Sequence, residues 1–234
     1  MAIYHCSIKI IKRSEGRSAV AAAAYRSGEK LINEWDGMTH NYTKKRGVIY
    51  SEILLPSHAP PSFADRSALW NNVEQIEKSR DAQLAREIEI ALPGELDRQE
   101  QISLVRAYVR DNFVAAGMCA DFAIHDKGDG NPHAHIMLTM RPLKANGEWG
   151  AKCRKEYDLD KHGQRIRLPS GAFKSQRVNT TDWNEQAKAE AWRAAWAGYA
   201  NRALKQKGLP ERIDHRSYSR QGLEQIPTVH MGVH

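Results

Sequence analysis

Residues 125–141, HDKGDGNPHAHIMLTMR, space three histidines as H-x7-H-x-H around a turn rich in Gly, Asp, Asn and Pro. In CADFAIH (119–125), Ala120, Phe122 and Ile124 alternate with Asp121, Ala123 and His125. In HAHIMLTMR (133–141), Ala134, Ile136, Leu138 and Met140 alternate with His133, His135, Met137 and Thr139. Period-two alternation is the mark of a half-buried strand, and the turn folds one run back on the other, so all three imidazoles leave the sheet on one side. Residues i and i+2 on a strand lie about 7 Å apart at their Cα atoms, so a third imidazole on the neighbouring strand closes a triangle of nitrogen ligands. Three protein ligands with positions left open is the arrangement of a catalytic metal, whereas structural sites are filled by protein. The HxH pattern is equally compatible with two surface imidazoles. Asp126, beside the first histidine, reads as turn chemistry and not as a fourth ligand.

A metal in such a place either activates water or polarises a phosphate for attack by another nucleophile. The second route needs a nucleophile, and Tyr25 at the end of SAVAAAAYRSG (18–28) is a candidate, with Arg26 beside it to hold a phosphate oxygen. Taken alone, a tyrosine after an alanine run also reads as a packing residue. Three imidazoles by themselves favour Zn²⁺, Ni²⁺ or Cu²⁺ over Mg²⁺, which prefers oxygen.

Several elements must position these groups. YHCSIKIIKR (4–13) and VIYSEILLP (48–56) read as strands, and AREIEIALPG (85–94) as a third that carries Glu87 and Glu89 on one face. Residues 18–28 form a short helix with Ser18 as N-cap and Gly28 as stop, its alanines allowing close packing on a sheet. ALWNNVEQI (68–76) aligns Leu69, Val73 and Ile76 on one helical face. DRQEQISLVRAYVRDNFVAAG (97–117) opens with the Asp97/Glu100 capping pattern and ends at Gly117. A long helix from about Asp182, with Glu185 at its start and a stop near Gly208 and Pro210, stripes Trp192, Trp196 and Tyr199 as core packing. The expected fold is α+β: an antiparallel sheet of about five strands, helices on its apolar face and the site on its polar face.

Composition narrows the function. The chain has 234 residues, 35 Lys and Arg against 28 Asp and Glu, for a net charge of +7. The charge is segregated: residues 141–177 hold ten Lys/Arg against four Asp/Glu, and residues 62–118 hold seven against ten. That unevenness suits a polyanion-binding face better than an evenly solvated surface. The basic stretch supplies Lys152, Arg154, Lys155, Arg165, Arg167 and Lys174 as phosphate contacts alongside Arg26, and Trp149, Tyr157, Phe173 and Trp183 as stacking platforms for single-stranded bases. Residues 144–175, rich in Gly and Lys with little periodicity, read either as an arm that orders on DNA or as a mobile loop. Three scattered cysteines and an opening without a secretion pattern point to a reduced, cytoplasmic protein, and no apolar run approaches the roughly 18 residues of a membrane helix.

AIYH (2–5), GRSAVAAAAYRSGEKL (16–31), DAQLAREIEIALPGEL (81–96) and residues 125–141, in this order, resemble the MobA/MobL family of conjugative plasmid relaxases, especially the TraA type. RIDHRSYSRQGLEQIPTVHMGVH (212–234) resembles the segment that closes the relaxase domain in that type. The resemblance implies a palm-like HUH endonuclease that nicks one DNA strand at a plasmid transfer origin by metal-assisted transesterification. Tyr25 would be the nucleophile, His125, His133 and His135 the metal ligands, and Glu87 either the acceptor of the tyrosine proton or the holder of a histidine N–H. It implies Mn²⁺ or Mg²⁺, with Zn²⁺, Ni²⁺ and Co²⁺ left open. It also implies single-stranded origin DNA as partner, together with relaxosome accessory proteins and a coupling protein, and the bacterial cytoplasm as location. Residues 1–234 would then be one domain, the N-terminal part of a longer protein. A rolling-circle or transposition nuclease, a hydrolase using metal-bound water and a catalytically silent DNA-binding factor are the alternatives.

Overall fold

The computed structural model of the protein describes residues 4–224; the start of the AIYH motif and the closing QIPTVHMGVH lie outside the described residues. In chain order the elements are β1 (Cys6–Lys12), α1 (Ala19–Ser27), β2 (Lys30–Ile32), β3 (Thr39–Asn41), β4 (Val48–Leu54), α2 (Arg66–Ile76), β5 (Gln83–Ala91), α3 (Arg98–Val109), β6 (Ala120–His125), β7 (His133–Thr139), β8 (Cys153–Tyr157), β9 (Ser175–Asn179) and α4 (Gln186–Gln206). Five strands form one antiparallel sheet in the order β1-β5-β7-β6-β4. The three histidines therefore sit on the two strands β6 and β7 of its interior, where flanking strands fix the register.

Alternation divides the sheet as expected. Ile88, Ile90, Phe122, Ile124, Ala134, Ile136 and Leu138 face α3 and α4 in one fully buried core. The α3 N-terminus is closed by a capping box, in which the Asp97 carboxylate accepts from Glu100 N–H and Glu100 from Asp97 N–H. Its last turn widens over Arg110–Val114 before Gly117 ends it. Trp192 and Trp196 are buried among Tyr108 and Phe113, with ring centroids 5.2–5.3 Å apart in edge-on contacts, and the Tyr108 hydroxyl donates to the Trp192 carbonyl at 2.9 Å. These edge-to-face pairs add to the burial of large apolar area.

The opposite face is not left open to the site alone, and this corrects the expectation of helices on one face. Part of it is covered by α1 and α2, which bury Ile11, Ala85, Cys119 and Met137 beneath Ala19, Ala23, Leu69 and Trp70 in a second core. The reason lies in residue size: alanines at 19 and 22–24 let α1 approach the sheet closely, so a helix fits where a larger side chain would hold it off. Buried polar groups tie this layer down. Arg66 of α2 donates to both Asp121 oxygens at 2.8 and 2.9 Å, the Trp70 indole donates to Asp121 at 2.8 Å, and Arg66 also pairs with Glu29 just past α1. Glu74 of α2 accepts from Ala19 N–H at 2.7 Å and from Arg13 at 2.8 Å, placing negative charge at the α1 N-terminus, where the helix dipole favours it.

Residues 144–175 are neither a free arm nor a plain loop. With the residues that follow they form a ribbon, β8 paired to β9, which branches beyond Tyr157 into tight turns closed by the bridges Leu159–Arg165 and Arg167–Phe173. Trp183, read as a stacking platform, is instead buried in the first core, and Trp149 stacks on Phe63 at 5.3 Å. Sequence reading also lacked the small β2–β3 hairpin. Among the described residues, no helix is long and apolar enough to cross a membrane.

The Arg66–Asp121 pair makes a direct stability test. Arg66→Met leaves a buried carboxylate without its cation, which costs about 3–5 kcal/mol. Urea unfolding reads this as a drop in midpoint, and a loss below about 1 kcal/mol would show that the pair does not anchor α2.

Candidate active site

The hairpin register sets His125 of β6 directly opposite His133 of β7, and Ala123 opposite His135. The three rings meet with centroids 4.8–5.4 Å apart, and one ligand-capable nitrogen from each lies within 4.8 Å of the others. Each ring is also held from behind. His125 Nε2 lies 2.7 Å from the Arg26 carbonyl, His133 Nδ1 lies 3.0 Å from the Asn131 carbonyl, and His135 Nδ1 lies 3.0 Å from a Glu87 carboxylate oxygen. A carbonyl or carboxylate oxygen only accepts, so each of these nitrogens carries the proton. The other nitrogen of each ring, Nδ1 of His125 and Nε2 of His133 and His135, is the one left to face a metal. An imidazole whose other N–H is anchored to oxygen is the arrangement that orients a metal ligand. The donor set thus fits a divalent ion, with one imidazole nitrogen from each of three rings and coordination positions left for oxygen ligands.

Charge state agrees with geometry. Burial, helped by the charges of Lys45, His135 and His133, pushes His125 down to about 3, against the pull of its hydrogen bond to the Arg26 carbonyl. It therefore stays neutral at pH 7, as metal binding requires. Burial alone would raise the Glu87 carboxyl, but the hydrogen bond from His135 and the charge of Arg26 outweigh it and hold Glu87 at about 2.

The last turn of α1 closes one side of the cluster. Ser18 accepts from Ala21 N–H at 3.1 Å to begin the helix, and Gly28, at φ +73°, ends it in the left-handed conformation. A Cβ at Gly28 would also come within 3.3 Å of Val48. A helix end leaves carbonyls without intrahelical partners. Here the Tyr25 carbonyl accepts from the Lys45 ammonium at 2.8 Å, and the Arg26 carbonyl takes the His125 bond. The Arg26 side chain turns inward, donating from Nε to Glu87 at 2.6 Å and pairing with it through a second nitrogen. Tyr25 itself points outward and is 46% exposed.

The remaining predicted residues fall in two places. Arg26 and Lys152, read as phosphate contacts, are both committed to carboxylates: Lys152 pairs with buried Glu77 at 2.8 Å and donates to the Gln83 carbonyl at 2.7 Å. Arg154, Lys155, Arg165, Arg167 and Lys174 lie on the ribbon. There Arg165 sits over the Tyr157 ring at 4.1 Å and Arg167 over Phe173 at 4.8 Å, so cations and aromatic faces alternate. A cleft of about 1040 Å³ at the ribbon base is lined by Arg141, Lys152, Arg154, Lys155 and Arg177. Asp126 accepts from Gly128 N–H at 2.8 Å, as turn chemistry demands. Sequence reading missed Lys45, because it sits in the basic run Lys44, Lys45, Arg46 on a loop with no spacing that ties it to Tyr25.

Fold and site together define an α+β protein whose central antiparallel sheet carries a cluster of three imidazoles able to hold a metal ion, beside an exposed helix-terminal tyrosine. The MobA/MobL family model matches residues 17–234, and the chain belongs to that family. It is 40% identical over its whole length to the probable conjugal transfer protein TraA of Sinorhizobium fredii, and 37% identical over 99% of its length to the mobilization protein MobL of Acidithiobacillus ferridurans. It spans 21% of the former and 62% of the latter. A solved structure described as the molecular basis of vancomycin resistance transfer in Staphylococcus aureus is similar with a TM-score of 0.79 and 32% identity, over 93% of this chain and 100% of that one.

If Glu87 orients His135, Glu87→Gln lowers affinity for Mn²⁺ or Co²⁺ by roughly 10- to 100-fold in titration calorimetry, the usual effect of losing a carboxylate behind a ligand. An unchanged dissociation constant would mean that the Glu87–His135 bond has no part in metal binding.

Proposed function

We propose that the protein nicks one strand of plasmid DNA at a transfer origin by transesterification, using Tyr25 as nucleophile. The observation that carries this reading is the junction at Arg26. Its carbonyl holds His125, its guanidinium holds the carboxylate that holds His135, and its chain neighbour is Tyr25. A nucleophile and a metal centre are thereby linked through one residue. Membership of the MobA/MobL family, and relatives named for conjugal transfer and mobilization, support the choice of DNA as substrate.

His125, His133 and His135 would hold a divalent ion. Bound there, such an ion withdraws charge from the oxygens of a phosphodiester and makes its phosphorus easier to attack. The Tyr25 oxygen forms the new bond to phosphorus while the bond from phosphorus to the 3′-oxygen breaks. The phenol loses its proton and the departing 3′-oxygen gains one, leaving a 3′-hydroxyl and a 5′-phosphotyrosine. One ester replaces another, so attack by a 3′-hydroxyl rejoins the strand without a nucleotide cofactor. An ordinary phenol titrates near pH 10 and is a weak nucleophile at neutral pH, so orientation matters. Glu87, ionised and engaged by both Arg26 and His135, is suited to fixing the His135 tautomer and poorly suited to accepting a proton. The ribbon, with its alternating cations and rings, is suited to gripping the strand.

Denaturing gels on labelled single-stranded origin oligonucleotides with Mn²⁺ test this reading. The wild-type protein is expected to yield a shortened free 3′-hydroxyl fragment and a protein-linked 5′ end that peptide mapping places on Tyr25. Tyr25→Phe and EDTA each abolish both products. Cleavage that persists in Tyr25→Phe with a free 5′-phosphate would instead make the protein a hydrolase using metal-activated water.

A further inference from the structure

One half-buried lysine touches the candidate nucleophile in two places at once. The chain leaves α1 at Gly28, runs out and back through the β2–β3 hairpin, and returns with Tyr42 N–H donating to the Glu29 carbonyl at 3.0 Å. A tight turn follows, in which Lys45 N–H donates to the Tyr42 carbonyl at 2.8 Å. Gly47 then adopts φ +85°, and its carbonyl accepts from Asp126 N–H at 2.8 Å, which pins the turn beside the histidine hairpin. A side chain at Gly47 would meet the Asp126 carbonyl at 3.2 Å, so the approach needs glycine. This route delivers two groups to Tyr25. The Lys45 ammonium stands 3.5 Å from the centre of the Tyr25 ring, and the Tyr42 ring packs against Tyr25 edge-on, with centroids 5.2 Å apart and planes at 89°. The same ammonium donates to the Tyr25 main-chain carbonyl at 2.8 Å.

We propose that Lys45 is a positioning residue for Tyr25, locking the exposed ring in one rotamer by bridging its face and its own carbonyl. The consequence for strand cleavage rests on the function proposed above; the contact itself does not. An exposed aromatic on a last helical turn otherwise samples several staggered χ1 wells. A cation satisfies a helix-terminal carbonyl and is favoured by the negative end of the helix dipole, so Lys45 has a reason to stay where it is. A cation is also attracted to the face of a tyrosine ring, and because ring and carbonyl belong to one residue, a single ammonium fixes the angle between them. Burial, with the charges of Arg26 and Lys127, draws Lys45 down to about 8, in keeping with an ammonium taken partly out of water. In-line attack depends on such fixing, since small misplacements of a reacting group cost large factors in rate.

The test uses two readouts on the whole chain. In the first, 4-fluorophenylalanine replaces Tyr25 and its ¹⁹F resonance is compared with Lys45 intact, with Lys45→Met and with Lys45→Arg. Lys45→Met is expected to move the signal toward the free amino acid, while Lys45→Arg, which keeps charge and donors, holds most of the shift. Coincident signals in all three would overturn the proposal. In the second, cleavage of an origin oligonucleotide by Lys45→Met is expected to show kcat lowered about tenfold with KM unchanged, and Lys45→Arg to recover most of it. A raised KM with unchanged kcat would make Lys45 a strand contact and overturn the positioning role. If the wild-type protein does not cleave at all, the proposed function fails, and the fluorine comparison still decides the contact.

Discussion

Arg26 is the residue on which the site's geometry depends. Its carbonyl is exposed only because α1 stops two residues later at Gly28, and that carbonyl is what His125 donates to. Its guanidinium is drawn inward by Glu87, and Glu87 holds His135. The helix that carries Tyr25 and two of the three imidazoles are therefore connected by hydrogen bonds that pass through one side chain and one peptide group. Charge-assisted bonds between a guanidinium and a largely buried carboxylate are among the stronger polar links a protein makes. Loosening this one would free the helix end from the histidine cluster.

The remainder of the layer serves the same end. At its N-terminus α1 is fastened by Ser18 and by Glu74 of α2, and beyond its C-terminus Glu29 pairs with Arg66, itself held by Asp121. Asp121 lies on β6, four residues before His125, so the strand that carries the first histidine of the cluster also supplies the anchor for the helix layer. The second core between α1, α2 and the sheet is small and rich in alanine, which allows the close approach that the Arg26 bonds require. Polar links give direction and the apolar layer gives proximity.

Much of this was legible in the sequence because it rests on strict periods. The alternation in 119–125 and 133–141 fixes which side His125, His133 and His135 face, and Ser18 and Gly28 mark both ends of α1 by the chemistry of helix caps. What was not legible depends on contacts between distant segments. Nothing in the run Lys44, Lys45, Arg46 distinguishes the lysine that reaches Tyr25 from its neighbours. Nor does the lysine in AKCRK reveal that Lys152 is directed to Glu77 and not to solvent. Trp183 and Trp149 have the composition of stacking platforms, but packing against α4 and Phe63 takes them out of that role. The low hydrophobic periodicity of 144–175 hid a ribbon, since a two-stranded element open to solvent on both faces has no apolar side to reveal it.

The central claim is that Tyr25 and the three histidines form one site around a metal ion. Paramagnetic broadening measures this directly: 4-fluorophenylalanine is placed at position 25 and the protein is titrated with Mn²⁺ while its ¹⁹F signal is recorded. One equivalent of Mn²⁺ is expected to broaden the signal severely, and His133→Ala, which removes one imidazole of the cluster, to abolish most of the effect. A signal that stays sharp while Mn²⁺ binds at that stoichiometry would place the metal away from Tyr25 and rule out a shared site.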